Sequence, residues 1–419
     1  MAHPRSFDVA VLGAGMVGIS AALHLLKRGR SVVLIDRRGP AEETSYGNAG
    51  ILQSEGVVPY AFPREIDRIV RAALNMTSEA HIHWRALPAI AGPIMAYWKN
   101  SAPERMAKSA VAFAPLAARC IAEHEALMAD AGTSALMRRT GYLKLFRSQA
   151  ALDKEAATEA AIKRTYGVNY EVLDAQGITA LEPHLRGDFA GAVLMPDPVS
   201  VSDPGKLGQS YAALFEKLGG TIAKGDAMTL AEADGGWHVT TDAGDVTARE
   251  AVVALGPWSA DLMTRFGYRV PLFVKRGYHM HYRPAAGSNA TLARPVFDSD
   301  GGYVLTSMTR GIRLTTGAEF ALRDAAPSPV QLGKVEPMAR ALMPLGERVE
   351  PEPWMGRRPC LPDMLPMIGA APRHKGLWCD FAHQHWGFTL GPVSGRLIAE
   401  MMTGEAPFTD PAPYRVDRF

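Results

Sequence analysis

Gly13, Gly15 and Gly18 stand in the spacing G-x-G-x-x-G, and Asp36 follows 18 residues after the last of them. Glycines at this spacing suit the holding of a dinucleotide. The first allows a tight turn, the second lets the backbone approach a pyrophosphate, and the third lets a helix pack closely on a strand. Met16 and Val17, between them, open that helix, whose free N–H groups and positive dipole end face the phosphate charge. A carboxylate at Asp36, with Arg37 beside it, can accept hydrogen bonds from an adenosine ribose. The alternative for Asp36 is a solvated strand end.

This set would serve NAD as well as FAD, and the choice rests on two further segments. TSYGNAGIL (Thr44 to Leu52) puts Ser45, Asn48, Ala49 and Gly50 in a small-residue loop where a flavin's ribityl chain and ring would emerge beyond the pyrophosphate. AHQHWGFTLGP (Ala382 to Pro392) sets Gly387, Phe388, Thr389 and Leu390 at the start of a terminal helix. N–H groups there would face the flavin N1 and C2 carbonyl, where negative charge accumulates on reduction. Each segment has a plain alternative, an ordinary turn and a capped helix. Together they favour FAD.

Positioning these residues requires strand, turn and helix in that order. FDVAVLGAG (Phe7 to Gly15) is an apolar run ending at glycine, and the residues after it space Val17, Ala21 and Leu25 helically. SVVLID (Ser31 to Asp36) reads as a second buried strand, so residues 7–36 form a βαβ unit with a right-handed crossover. Residues 61–137 look helical, in alanine-rich stretches broken by Pro88, Pro93, Pro103 and Pro115. GYLKLF (141–146) and GAVLMP (191–196) read as strands around a helix near 150–166, and Asp203 with Pro204 opens a helix to about Leu218. TIAKGD, WHVTTDAGDVTA and REAVVALG give three short strands up to Gly256, with a turn through Asp242 to Asp245. Strand-like segments occupy 277–319, and GLWCDFA (376–382) precedes a last helix from about Phe388 to Met402.

The 419 residues exceed what one hydrophobic core comfortably fills. The expected architecture is α/β, a Rossmann-like FAD-binding domain joined to a mixed-sheet substrate domain, as in glutathione-reductase-like folds. Residues 1–60, 200–266 and 352–419 form the first domain and residues 61–199 and 267–351 the second. Lysine plus arginine (45) nearly balances aspartate plus glutamate (43), which argues against a nucleic-acid partner. Cys120, Cys360 and Cys379 form no C-x-x-C, and the histidines no H-E-x-x-H, so neither a disulfide framework nor a metal site is expected. A cytoplasmic location follows. The glycine-broken run Phe7 to Leu26 reads as folded structure rather than a leader. Leu87 to Trp98, LPAIAGPIMAYW, is either a packed helix or a peripheral contact with the inner face of a membrane.

Seven segments in order carry a resemblance: GAGMVGISAALHL, TSYGNAG, VSDPGKL, VVALGPWSADL, VKRGYHMHY, GRRPCLPDMLPMIG and HWGFTLGPVSGRLIAE. They resemble the D-amino-acid oxidase family of flavoproteins, and within it the bacterial D-amino-acid dehydrogenases and hydroxyproline dehydrogenases. The resemblance implies that Arg358, in Gly356-Arg357-Arg358-Pro359, binds the substrate carboxylate, a fit for a guanidinium fork. It implies a second backbone approach to FAD at Ala254, Gly256 and Trp258, and an adenine contact near Ala227. Tyr278 is either a substrate hydrogen-bonder or a buried tyrosine. Cys360 lies two residues past Arg358, off the positions that family members use for covalent attachment, so noncovalent FAD is expected.

The expected reaction is oxidative deamination of a small amino acid, D-configured or proline-like, by hydride transfer from the α-carbon to flavin N5. An imino acid forms first, then a keto acid and ammonia. No base is named among His279, His281, His383 and His385, because a neutral amine can lose hydride without one. The alternatives are a sarcosine-, glycine- or polyamine-type amine oxidase using O₂, and a flavoprotein electron-transfer subunit of a larger assembly. Quinone is a candidate acceptor. Side chain and chirality of the substrate, and oligomeric state, have no readable code.

Overall fold

The computed structural model describes residues 5–419, so residues 1–4 of the expected first segment lie outside the described residues. Strand Arg5–Leu12 is buried from Val9 onward because it lies at the centre of a sheet covered on both faces. It pairs in parallel with Val32–Asp36 on one side and Gly244–Val253 on the other, Val9 lying opposite both Val32 and Glu250. The crossover between the first two strands is helix Met16–Lys27, which completes the expected βαβ unit. Thr221–Lys224 and Leu377–Phe381 extend the parallel part of the sheet, and Gly236–Thr241 folds back on Gly244–Val253 as a hairpin. Helix Gly387–Thr403 lies against Met16–Lys27. A Cβ on Gly391 would come 2.8 Å from Met16 Cγ, and one on Gly395 2.6 Å from the Ser20 carbonyl carbon, so glycine sets this close crossing.

The second sheet has eleven strands and is mostly antiparallel. Its central strand, Phe273–Pro284, pairs with Trp354–Cys360, Ala318–Phe320, Gly311–Thr315 and Leu345–Arg348. Tyr142–Phe146 and Gly191–Met195 pair at the far end, as the strand reading of those segments requires. Gln149–Tyr166 packs beside them, capped by Ser148 and ended by Gly167 at φ 75°.

Three expectations shift. Within 61–137 the helices are Ile66–Ala73, Leu87–Asn100 and Pro103–Asp130, and strand Ala80–Ile82 interrupts them by pairing with Ala318–Phe320. Pro88 and Pro103 do sit at helix starts, whereas Pro93 and Pro115 lie inside continuous helices. A missing N–H costs one hydrogen bond, and burial of Phe113, Leu116 and Cys120 around Pro115 outweighs it. The boundary drawn at residue 352 also moves, because Trp354–Cys360 pairs residue for residue with the second sheet. Helix Pro103–Asp130, assigned above to the substrate domain, shares its buried face with the core of the first sheet.

Leu87–Asn100 buries Ile90 and Tyr97 against Phe273, Phe320 and Cys360. Among the described residues no helix is long and apolar enough to cross a membrane.

Candidate active site

A cavity of about 1380 Å³ lies between the two sheets and takes its walls from both. Part of its wall is built by the glycine turn. Gly13 has φ +106°, and a Cβ there would stand 2.5 Å from the Ala254 carbonyl oxygen, so strand, turn and the Ala254 segment meet at a distance only glycine permits. The helix that follows has Gly15 as N-cap with no side-chain cap, and Ser45 Oγ accepts the Met16 N–H at 2.9 Å. Asp36 accepts the N–H groups of Ala14 (2.7 Å) and Arg38 (2.8 Å). Burial pushes its carboxyl above the usual range, against the pull of those two donors. The Arg37 guanidinium stacks over the Trp258 ring at 4.2 Å.

At the other end the cavity wall runs along residues 380–388, and here the polar atoms lack partners. Both Asp380 carboxyl oxygens, His383 Nε2, both Gln384 amide atoms and His385 Nε2 are buried without hydrogen bonds in the described structure. Burial raises Asp380 well above its ordinary carboxylate value and lowers His383 to about 3, which leaves His383 neutral near pH 7; His383 Nε2 lies 3.4 Å from Asp380 Oδ1, beyond a well-formed hydrogen bond. Ala382 and Gln384 take φ of 64° and 58°, a left-handed conformation that costs ~1 kcal/mol or more per residue. Orphaned polar atoms on strained backbone, at the mouth of helix Gly387–Thr403, fit the polar edge of a flavin ring. The glycine turn and Asp36 fit its adenosine pyrophosphate.

The third wall is the pairing of Phe273–Pro284 with Trp354–Cys360. Lys275 lies opposite Arg358, Gly277 opposite Gly356, and His279 opposite Trp354. Opposed residues share a face, and this face bounds the cavity. Arg358 lies flat across Gly277, where a Cβ would come within 2.9 Å of its Nη1. It donates to the carbonyls of Gly317 (2.8 Å) and Thr316 (3.2 Å). Among the described residues no carboxylate pairs with it, and burial pulls its pKa below the ordinary guanidinium value.

Gly13, Gly15, Met16, Val17, Asp36, Arg37, Ser45, Asn48, Ala49, Ala227, Ala254, Gly256, Trp258, Gly387, Phe388 and Arg358 all line this one cavity. Gly18, Gly50, Thr389 and Leu390 do not line it. A Cβ on Gly18 would collide with the Gly13 carbonyl, and one on Gly50 with the Val201 carbonyl, so both glycines serve packing. Thr389 turns inward to donate to the Ile51 carbonyl (3.1 Å), and Leu390 is fully buried in the first core.

Tyr278 also borders the cavity, but its hydroxyl is committed elsewhere. It donates to Glu319 Oε2 (2.8 Å) and accepts from the Ser328 N–H (2.8 Å) and Arg276 (3.3 Å). With one donor and two acceptor sites used, nothing remains for a substrate. The reading of Tyr278 as a substrate hydrogen-bonder is therefore replaced by a structural role in the buried Arg276–Glu319 pair (2.6 Å). Residues that sequence reasoning passed over include Lys275, Tyr97 and Trp354. The two-residue period of strand 273–284 was the available signal for Lys275.

The chain matches the family model described as "DAO: FAD dependent oxidoreductase" over residues 8–401. It is 31% identical to a D-amino acid dehydrogenase of Chromohalobacter salexigens, covering 98% of this chain and 99% of that one. It is 29% identical to a D-amino-acid oxidase of Bradyrhizobium diazoefficiens, covering 99% and 100%. Among solved structures, glycine oxidase from Geobacillus kaustophilus superposes with a TM-score of 0.75 at 22% identity, over 99% of both chains.

Proposed function

Because this chain belongs to the DAO family of FAD-dependent oxidoreductases, we propose that it oxidises a small amino acid, D-configured or proline-like, at the carbon bearing nitrogen. Within that family it is an FAD-dependent amino-acid dehydrogenase or oxidase. When bound, FAD supplies the two-electron acceptor, taking hydride from that carbon at N5, with O₂ or a quinone as the final oxidant. The nitrogen lone pair closes the C=N bond of an imino acid. Water then yields the keto acid and ammonia, whereas a proline-like substrate leaves a cyclic imine.

The observation that supports this reading above others is Arg358. A guanidinium has five N–H donors, and two are spent on the Thr316 and Gly317 carbonyls. The remainder have no carboxylate partner among the described residues, and the side chain lines the cavity. A substrate carboxylate satisfies that charge bidentately and thereby orients the neighbouring carbon. His383, neutral through burial, presents no competing cation to the substrate amine. FAD is held without a covalent bond in this reading.

The test is anaerobic bleaching of the flavin band by a panel of D-amino acids, L-amino acids, proline derivatives, sarcosine and glycine. Bleaching by D-amino acids or proline derivatives supports the reading. Bleaching only by sarcosine or glycine replaces it with an amine-oxidase function. A yellow protein that nothing in the panel bleaches refutes the amino-acid assignment.

A further inference from the structure

Lys275 is the second cation on the wall that carries Arg358. The two stand directly opposite in antiparallel register, a position where like charges repel. Other cations lining the cavity have acids beside them: Arg37 has Glu43 (3.3 Å), Arg68 has Glu79 (2.9 Å), Lys144 has Glu155 (2.8 Å) and Lys154 has Glu65 (3.7 Å). Lys275 and Arg358 have none among the described residues, and the same holds for Arg64, which rests on the Trp98 ring at the exposed rim. Lys275 Nζ instead sits 4.2 Å from the centre of the Tyr97 ring, with Phe273 and Phe320 on its other sides at 5.7 and 5.9 Å. Aromatic faces steady an ammonium but do not neutralise it.

The two cations are aimed at different points. The Arg358 guanidinium crosses over Gly277, two residues along the strand from Lys275, which at strand rise is about 7 Å. The Lys275 ammonium rests instead over the Tyr97 ring. Two cations seated on different supports, one over Gly277 and one over Tyr97, suit two carboxylates of one small molecule.

We propose that Lys275 forms a second anion subsite, so that the preferred substrate is an amino diacid whose side-chain carboxylate meets Lys275 while its α-carboxylate meets Arg358. This deepens the function proposed above and rests on it. Lys275 then determines specificity without taking part in the redox step, and Tyr97 positions it. A diacid brings two negative charges to two unpaired cations, whereas an alanine-like substrate leaves Lys275 uncompensated inside the closed site.

The experiment compares kcat/KM for aspartate, glutamate and alanine of the active hand in the holoenzyme, then in Lys275→Met and Lys275→Arg. The wild type is expected to favour a diacid over alanine by tenfold or more. Lys275→Met is expected to erase that preference through KM, with Lys275→Arg restoring most of it. Glutarate should raise the Tm of the wild type more than butyrate does, a difference lost in Lys275→Met and readable without turnover. A Lys275→Met loss shared equally by alanine and the diacids overturns the proposal in favour of a shared α-carboxylate site. Alanine oxidised in preference to diacids by the wild type also overturns it. If no amino acid bleaches the flavin, the parent reading fails first and this one with it.

Discussion

Replacing Arg358 by leucine removes a buried guanidinium that lines the cavity and has no acid partner among the described residues. Truncating one partner of a buried, hydrogen-bonded charge pair costs roughly 2 to 5 kcal/mol. At about 1.4 kcal/mol per factor of ten, kcat/KM for a carboxylated substrate should fall roughly 30-fold to several thousand-fold. The loss should appear mainly in KM, because the carboxylate is bound equally before and during hydride loss. Two companion variants separate charge from geometry. Arg358→Lys keeps the charge but loses the fork, so it should recover only part of the affinity. Gly277→Ala keeps the arginine but puts a methyl within 2.9 Å of Nη1, and since the guanidinium is the far end of a flexible side chain, the fold survives while the fork is displaced. The assay is steady-state kinetics with an artificial electron acceptor, paired with flavin content to confirm that each variant is loaded. Unchanged KM in Arg358→Leu with full flavin content would refute the clamp.

Gly18→Ala forces a methyl into the Gly13 carbonyl, so the purified variant should lose most of its FAD, measured as the ratio of flavin to protein absorbance after gel filtration. Tyr278→Phe should destabilise the protein by about 1–3 kcal/mol, through the loss of hydrogen bonds to buried Glu319 and Ser328, and leave KM unchanged. A raised KM with intact stability would return Tyr278 to the substrate site. Acid should destabilise the fold: burial holds His24 and His383 at about 3 and His124 and His281 at about 4, all below the ordinary histidine value. The unfolded chain therefore binds protons that the native one does not, and stability is lost as pH falls below about 6.5. Glu55, raised by burial to about 7, acts in the opposite sense between its ordinary value and 7 and offsets one of the four. His279, His385 and His81 are lowered by burial in the same sense as the four, and Asp380 is raised in the sense of Glu55. The buried histidines outnumber the buried acids, so the expected sign is loss of stability toward acid, which calorimetric Tm values from pH 7.5 to 5 will measure. A flat Tm over that range would refute the buried-neutral assignment, and His124→Gln should make the slope shallower.

The cofactor end of the site was legible because its physics is local. Gly13 must adopt a positive φ, Gly18 must admit the turn beneath it, and Asp36 must end the next strand; each requirement falls within 24 residues of chain. The helices capped by Ser148 and Asp203 were readable for the same reason, since Ala151 N–H and Lys206 N–H are three residues away. Partners far apart in sequence were not readable. Ala80–Ile82 becomes a strand only because Ala318–Phe320 pairs with it, and nothing in three residues announces that. Pro93 and Pro115 read as helix breaks because propensity is local, while the burial that keeps their helices intact is not. Thr389 and Leu390 were read as facing cofactor from their motif, yet the rotation of their helix against the Met16–Lys27 helix turns them into the core.

Strand Phe273–Pro284 shows what separates the legible from the hidden. A strand alternates faces, so Lys275, Gly277 and His279 must share one side and Arg276 and Tyr278 the other. That much is in the sequence. Which side carries the cations without acid partners is decided by register with two distant strands: Arg358 falls opposite Lys275, and Glu319 opposite Arg276. Glu319 then claims Arg276 and the Tyr278 hydroxyl together, which makes the even-numbered face a closed, satisfied network. The odd-numbered face receives Arg358 with no acid to match, and Gly277 clears the path for its guanidinium. A slip of one residue in register would exchange the two faces, setting Lys275 beside Glu319 and taking the Tyr278 hydroxyl away from it. The division between an arginine paired with an acid at 276 and one with no acid partner among the described residues at 358 is thus a consequence of register. For the same reason Lys275, within the segment VKRGYHMHY, stands opposite Arg358 on the cavity wall.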